Sequence, residues 1–151
     1  LEIANLPYVG SGVLASAVAM DKSFAKPIFA SHGIKTAAGF VARQSEWNAA
    51  QAAIQKAADQ LGYPVFVKPA RGGSSRGTTK VKSAADFASA VNEAFKFDTK
   101  ALVEQEIRGA EIECAVLERD GKVEASIVGA IIATTPGRQA SPLSSSDGAI
   151  H

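Results

Sequence analysis

A single cysteine, Cys114, leaves no partner for an internal disulfide, so no disulfide framework staples this chain. No apolar run approaches the ~20 residues of a membrane-spanning helix, and no signal-peptide pattern is visible. No dense basic block stands out, and the formal net charge is only +1, which argues against a nucleic-acid binder. Aromatic residues make up 7% of the chain, and no internal repeat is evident. What is abundant is aliphatic: apolar residues reach 46%, enough to bury a core and to exclude compositional disorder. The 151 residues suit one ordinary domain or two small ones. Cys114 sits in an apolar, strand-like run and reads as a buried small hydrophobe in a reducing, cytoplasmic setting. The chain opens at Leu1 without a methionine, so the expectation is a piece of a longer protein.

The most informative stretch runs from Pro64 to Gly77. Val65, Phe66 and Val67 form a short β-branched and aromatic run, long enough for a buried strand and too short for a helix. Lys68 ends it, and Pro69 then removes a ladder donor, so pairing is expected to stop there. Gly72, Gly73, Ser74, Ser75 and Gly77 follow. A loop of this kind can turn backbone N–H groups and hydroxyls toward an oxyanion, and Lys68 adds a charge suited to phosphate. A plain turn is the competing reading. The stretch is not a Walker loop, because no Gly-Lys-Ser/Thr opens a helix after it, nor a dinucleotide fingerprint. Residues Thr78 to Lys82 look like a returning strand, so the loop has the form of a lid between two antiparallel strands.

Elsewhere the pattern alternates. Residues 3–10 read as a connector. Ser11 is expected to cap a short helix carrying Val13, Leu14, Ala17 and Val18. Asp21 caps a second, which contains Pro27 (expected to kink it) and stops at Gly33. Lys35 to Arg43 reads as a strand. Ser45 begins a helix with Trp47, Ala50, Ile54, Ala57 and Leu61 on one face, ended by Gly62 and Pro64. Ser83 and Asp86 make a capping-box-like start for a helix that turns Phe87, Val91 and Phe95 inward. Lys100 to Ile107 reads as a strand. Glu111 to Arg119 and Lys122 to Thr134 read as two more around an Asp120-Gly121 hairpin turn. Glu104, Glu106, Glu111 and Glu113 are either solvated strand carboxylates or acceptors for the polar edges of a ligand. After Thr135 the chain is Pro/Ser-rich without periodicity, as in a loop, linker or tail.

Five ordered stretches carry a resemblance. Tyr8 to Ser16, Met20-Asp21-Lys22, the phosphate stretch, Leu102-Val103-Glu104, and Gly109 to Val116 together resemble bacterial D-alanine–D-alanine ligases over about residues 1–125. The resemblance implies an α+β, ATP-grasp fold: an antiparallel sheet with helices on one side, truncated at both ends. It implies residues 1–21 as the end of an N-terminal domain and connector, 22–110 as the central subdomain, and 111–151 as the start of a C-terminal subdomain. The activity implied is ATP-dependent joining of two D-alanines for peptidoglycan. An acylphosphate forms first, and magnesium ions neutralise the phosphates.

By position, Lys22 and Lys68 resemble the lysines on the α- and β-phosphates. Ser74, Ser75 and Gly77 resemble the part of the loop that closes on the γ-phosphate, with Ser74 also positioning substrate. Glu104 resembles the adenine amino acceptor. Gln105 and Ile107 stand where main-chain groups read the adenine edge, and Glu111 matches the ribose acceptor.

There are departures. Arg76 replaces a small apolar residue, and Val128-Gly129-Ala130 lies where many members have Pro-Gly-Glu. The magnesium ligands and an arginine for the tetrahedral intermediate are expected beyond the segment present here. A homodimeric whole enzyme is implied, and the fragment alone is expected to be inactive. Two alternatives stay open: a ligase with another second substrate, such as D-lactate, and a noncatalytic nucleotide-binding module.

Overall fold

The computed structural model describes residues 1–131. The chain divides into two units, Leu1–Ile107 and a second that begins at Arg108. The first contains α1 (Val13–Met20), α2 (Lys22–Ser31), β1 (Gly39–Arg43), α3 (Gln44–Leu61), β2 (Val65–Pro69), β3 (Thr79–Val81), α4 (Ala84–Ala94) and β4 (Lys100–Gln105). Its four strands form one antiparallel sheet in the order β1-β4-β2-β3. The strands on either side of the glycine-rich loop are neighbours, with Val65 opposite Val81 and Val67 opposite Thr79.

The period-2 alternation of β2 and β4 decides the two faces. Val65, Val67, Ala101 and Val103 point into a core closed by α3 and α4 and completed by Val81, Trp47, Ala58, Phe87, Ala90, Val91 and Ala94. Trp47 meets Phe87 edge-to-face at 6.0 Å, and its indole N–H donates to Asn92 Oδ1 at 3.0 Å. That satisfies the one polar atom the ring would otherwise bury. Phe66, Lys68, Leu102 and Glu104 lie on the opposite face, where they line one side of a recess against α2 or of the loop.

Several local expectations shift. The N-cap of α1 is Gly12, and no side chain caps it; Ser11 only accepts a bond from the Ser16 hydroxyl through its carbonyl. Helix α3 starts one residue before Ser45, because Glu46 reaches back to the Arg43 N–H at 3.2 Å. Ala50 leaves helical geometry (φ −150°, ψ 55°) and is exposed, so it drops out of the apolar stripe while Trp47 and Ala58 are buried. Ser83 stands at the N-cap of α4, but its hydroxyl donates to the Asp86 carboxylate instead of accepting from backbone. Asp21 and Gly33 behave as read: Asp21 accepts from the Ser23 N–H, and Gly33 takes φ 75° just past α2, which runs through Pro27. Pairing of β2 with β3 ends at Val67, but pairing with β4 continues through Pro69, whose missing donor that edge does not need.

The second unit has β5 (Glu111–Glu113), β6 (Val116–Arg119), β7 (Lys122–Ala125) and β8 (Gly129–Ile131). Asp120 and Gly121 both take positive φ, 53° and 73°, in the β6–β7 hairpin turn. The single strand expected from Glu111 to Arg119 is broken at Cys114 and Ala115, and its halves pair with different partners. At the break the Ser126 hydroxyl accepts from the Ala115 N–H, replacing a ladder bond with a side chain. Cys114 is exposed rather than buried, since two-stranded ribbons have no second layer of their own to cover a face. The end of the expected return strand, 132–134, and the Pro/Ser-rich stretch lie outside the described residues.

Candidate functional site

Strand β2 delivers Lys68 to the sheet face away from the core, one residue before the loop. The Ala70 N–H still donates to the Lys100 carbonyl at 3.0 Å, so the loop leaves a firmly paired edge. Arg71 then clamps it: its backbone N–H and Nε donate to Asp98 Oδ2 at 2.9 and 3.1 Å, and Nη2 to Oδ1 at 2.6 Å. Burial pushes the Asp98 carboxyl up, but the Arg71 bonds and the Lys100 N–H outweigh it and hold its pKa at about 2. At the tip Ser74 and Ser75 both take left-handed conformations (φ 50° and 56°) and are exposed. The Arg76 guanidinium lies 5.6 Å from the centre of the Phe97 ring. Gly77 has φ 68°, and a Cβ there would stand 2.5 Å from that ring and 2.9 Å from Pro69 Cγ. Its lack of a side chain is therefore required where the loop packs against Phe97 and Pro69.

Helix α2 faces the loop with its first turn. The Lys22 N–H donates to the Ala70 carbonyl at 3.0 Å, while its Nζ donates to the carbonyls of Gly72 at 2.6 Å and Ala70 at 3.3 Å. Burial lowers the Lys22 pKa, and the nearby charge of Lys68 lowers it further. Asp21, the cap of this helix, ion-pairs with Lys100 on β4, which fixes α2 to the sheet. One turn along, Lys26 Nζ donates to the Ala37 carbonyl at 2.7 Å and ion-pairs with Glu104 Oε1. Lys68 ion-pairs with Glu104 Oε2. Burial pushes the Glu104 carboxyl up, yet the hydrogen bonds and charges of Lys26 and Lys68 prevail and leave it below its usual value.

Two recesses meet at Lys22 and Lys68. One, about 340 Å³, is lined by those lysines, Phe66 and the loop from Gly72 to Arg76. The other, about 290 Å³, is lined by the same lysines with Ala25, Phe29, Leu102 and Glu104. The first offers cations and loop backbone; the second offers apolar walls around the Glu104 carboxylate and the two lysines, Lys26 and Lys68, that ion-pair with it. Lys22, Lys68, Ser74, Ser75 and Glu104 are thus brought together. Gln105 is not on that face: its side chain donates to the Leu61 carbonyl at 2.8 Å, and its N–H to Ala38 at 2.9 Å. Ile107 lies two residues past the end of β4 and is exposed, and Glu111 opens β5 of the second unit. Lys26, Arg71 and Asp98 were not singled out in the sequence. The i, i+4 spacing of Lys22 and Lys26 on one helical face was the available signal for the first.

An antiparallel sheet with a lysine-bearing face beside a glycine-rich loop, shared with solved ligases, is the ATP-grasp class. Within that class, the profile of the family described as D-ala D-ala ligase C-terminus matches residues 28–136, and the chain belongs to that family. A D-alanine–D-alanine ligase of Paenarthrobacter aurescens is 48% identical over 121 residues, which are 80% of this chain and 32% of that protein. Among solved structures, the D-alanine-D-alanine ligase from Coxiella burnetii is 40% identical with a TM-score of 0.76, over 87% of this chain and 38% of that one. The VanG D-Ala:D-Ser ligase from Enterococcus faecalis is 37% identical with a TM-score of 0.75, over 84% and 36% respectively. The chain spans about a third of the length of the curated relatives it matches.

Proposed function

We propose that this chain is the nucleotide-binding segment of an ATP-dependent D-alanine–D-alanine ligase that serves peptidoglycan synthesis in the cytoplasm. The observation that carries the reading is the junction at Lys22 and Lys68, where a cationic, glycine-rich recess adjoins an apolar recess holding Glu104. Phosphates fit the first and an adenine ring the second. ATP would supply the γ-phosphoryl group that activates a D-alanine carboxylate for attack by a second amine. Lys22 and Lys68 would hold the α- and β-phosphates, and Ser74, Ser75 and Gly77 belong to the lid over the γ-phosphate, with Ser74 also positioning substrate. Glu104 would accept from the adenine amino group. It already accepts from two ammonium groups, but a carboxylate has about four lone-pair sites, so capacity remains. We assign Gln105 and Ile107 to the adenine edge through main-chain groups, and Glu111 to the ribose.

Magnesium accompanies the nucleotide in this reading. We assign its ligands to a part of the enzyme outside the described residues. We assign residues 22–110 to the central subdomain, 111–151 to the start of the C-terminal one, and a homodimer to the whole enzyme. The relatives differ in second substrate, since one is a D-Ala:D-Ser ligase. D-Alanine is the proposal because the curated relatives are D-alanine–D-alanine ligases. The test is incubation of the intact gene product with ATP, magnesium and D-alanine, alone and with D-serine or D-lactate. Phosphate release coupled to D-alanyl-D-alanine is the expected result. ATP binding without any dipeptide would favour a noncatalytic nucleotide module.

A further inference from the structure

Glu104 is buried between two lysines that are held in different ways. Lys26 is anchored at a second point, the Ala37 carbonyl at 2.7 Å, on the connector leading into β1. Lys68 has Glu104 as its ion-pair partner and also lines the loop recess. A polyphosphate in that recess offers Lys68 a stronger, multiply charged partner, whereas Lys26 lines only the Glu104 recess and keeps its place. A buried carboxylate stripped of both cations would be costly and would take up a proton. Lys22 does not replace them at Glu104, since two of its three Nζ donors bond the Ala70 and Gly72 carbonyls and the third is the one left for phosphate.

We infer that Lys26 is a positioning residue for base selection: it holds Glu104 charged and oriented toward the 6-position of a purine while Lys68 turns to the phosphates. The inference rests on the nucleotide reading above and adds to it a residue that acts on base choice through Glu104. A 6-amino purine donates to the held carboxylate. A 6-oxo purine presents an acceptor to an acceptor and is rejected, because a buried polar group left unpaired is what makes such discrimination strong.

The test compares the affinities of ATP and inosine triphosphate for the intact gene product by calorimetric titration. The wild type is expected to prefer ATP by about tenfold or more. Lys26→Met should reduce that preference to about threefold or less, with inosine triphosphate affinity changed by no more than about threefold, and Lys26→Arg should restore it. Lys26→Gln retains hydrogen-bonding capacity without charge; it should also lose the preference and serves if Lys26→Met melts too early to titrate. A Lys26→Met or Lys26→Gln protein that keeps the full preference, or loses both affinities in proportion, overturns the inference. A wild type with no preference instead overturns the assignment of Glu104 to the base, which separates the two failures.

Discussion

At the scale of single residues, the site is a set of charges placed by strand alternation and one helical turn. Lys68 is the one lysine whose removal should be felt by nucleotide without disturbing the backbone. Lys22 latches the loop and Lys26 binds a backbone carbonyl, but the ion pair described for Lys68 is to a side chain. In the intact gene product, Lys68→Ala should weaken ATP binding by about one to two decades, the worth of a charge-assisted phosphate contact of about 1.5–3 kcal/mol. Titration calorimetry on both proteins checks this; unchanged affinity would make Lys68 a partner of Glu104 only. Asp98 makes the opposite kind of prediction. Its carboxyl lies at about 2 against an ordinary 3.8, so it holds fewer protons folded than unfolded near pH 3. Its stabilisation is complete above about pH 4 and disappears as pH falls toward 2. With Arg71 half exposed and screened, the loss should be about 1–2 kcal/mol, read as an acid-limb drop in melting temperature that Asp98→Asn flattens.

At the scale of elements, the loop between β2 and β3 is braced at both ends and open at its tip. Arg71 and Asp98 brace the start, and Gly77 packed against Phe97 and Pro69 braces the end. Two glycine substitutions separate bracing from ligand contact. Gly77→Ala meets both a positive φ and an occupied space, and should cost about 1–3 kcal/mol of stability. Gly73→Ala meets nothing within 4 Å and should cost less than about 1 kcal/mol. Denaturant melts of the two variants decide it. Equal losses would mean that the Phe97 ring moves aside freely and that Gly77 is not a brace.

At the scale of the whole molecule, a core lies on one side of the first unit's sheet and the lysine-lined recesses on the other. The loop recess is open to solvent at its rim, where Ser74 and Ser75 are exposed. The residues present should therefore bind adenine nucleotide weakly, and the charge of the γ-phosphate stays uncompensated by any metal group among the described residues. This chain purified alone, given ATP, magnesium and D-alanine, should release no phosphate coupled to dipeptide, while the intact gene product does. Coupled release by the chain alone would show that residues outside the described ones supply the missing charge.

Local chemistry was sufficient for much of this. The run Val65 to Val67, the glycines after it and the returning Thr79 to Val81 dictate a hairpin, because strand period and turn residues act over a few positions. Asp21 as a cap and Gly33 and Gly62 as stops are legible for the same reason. The failures are of two kinds. Ser11, Ser83 and Ala50 have the right types for their expected roles, but a cap or a stripe position is won by whichever neighbour reaches it, as Glu46 reaches Arg43. Cys114 is apolar enough to bury, but whether it does depends on a second layer that no local pattern encodes. The charges show the division most plainly. Lys22, Lys68 and Glu104 could be named from their motifs, but their convergence with Lys26, and the clamp of Arg71 on Asp98, join residues up to 78 positions apart. Only the antiparallel register of β2 and β4, with α2 laid beside them, places those groups within hydrogen-bonding distance, because opposite charges far apart in sequence attract no nearer than the fold allows.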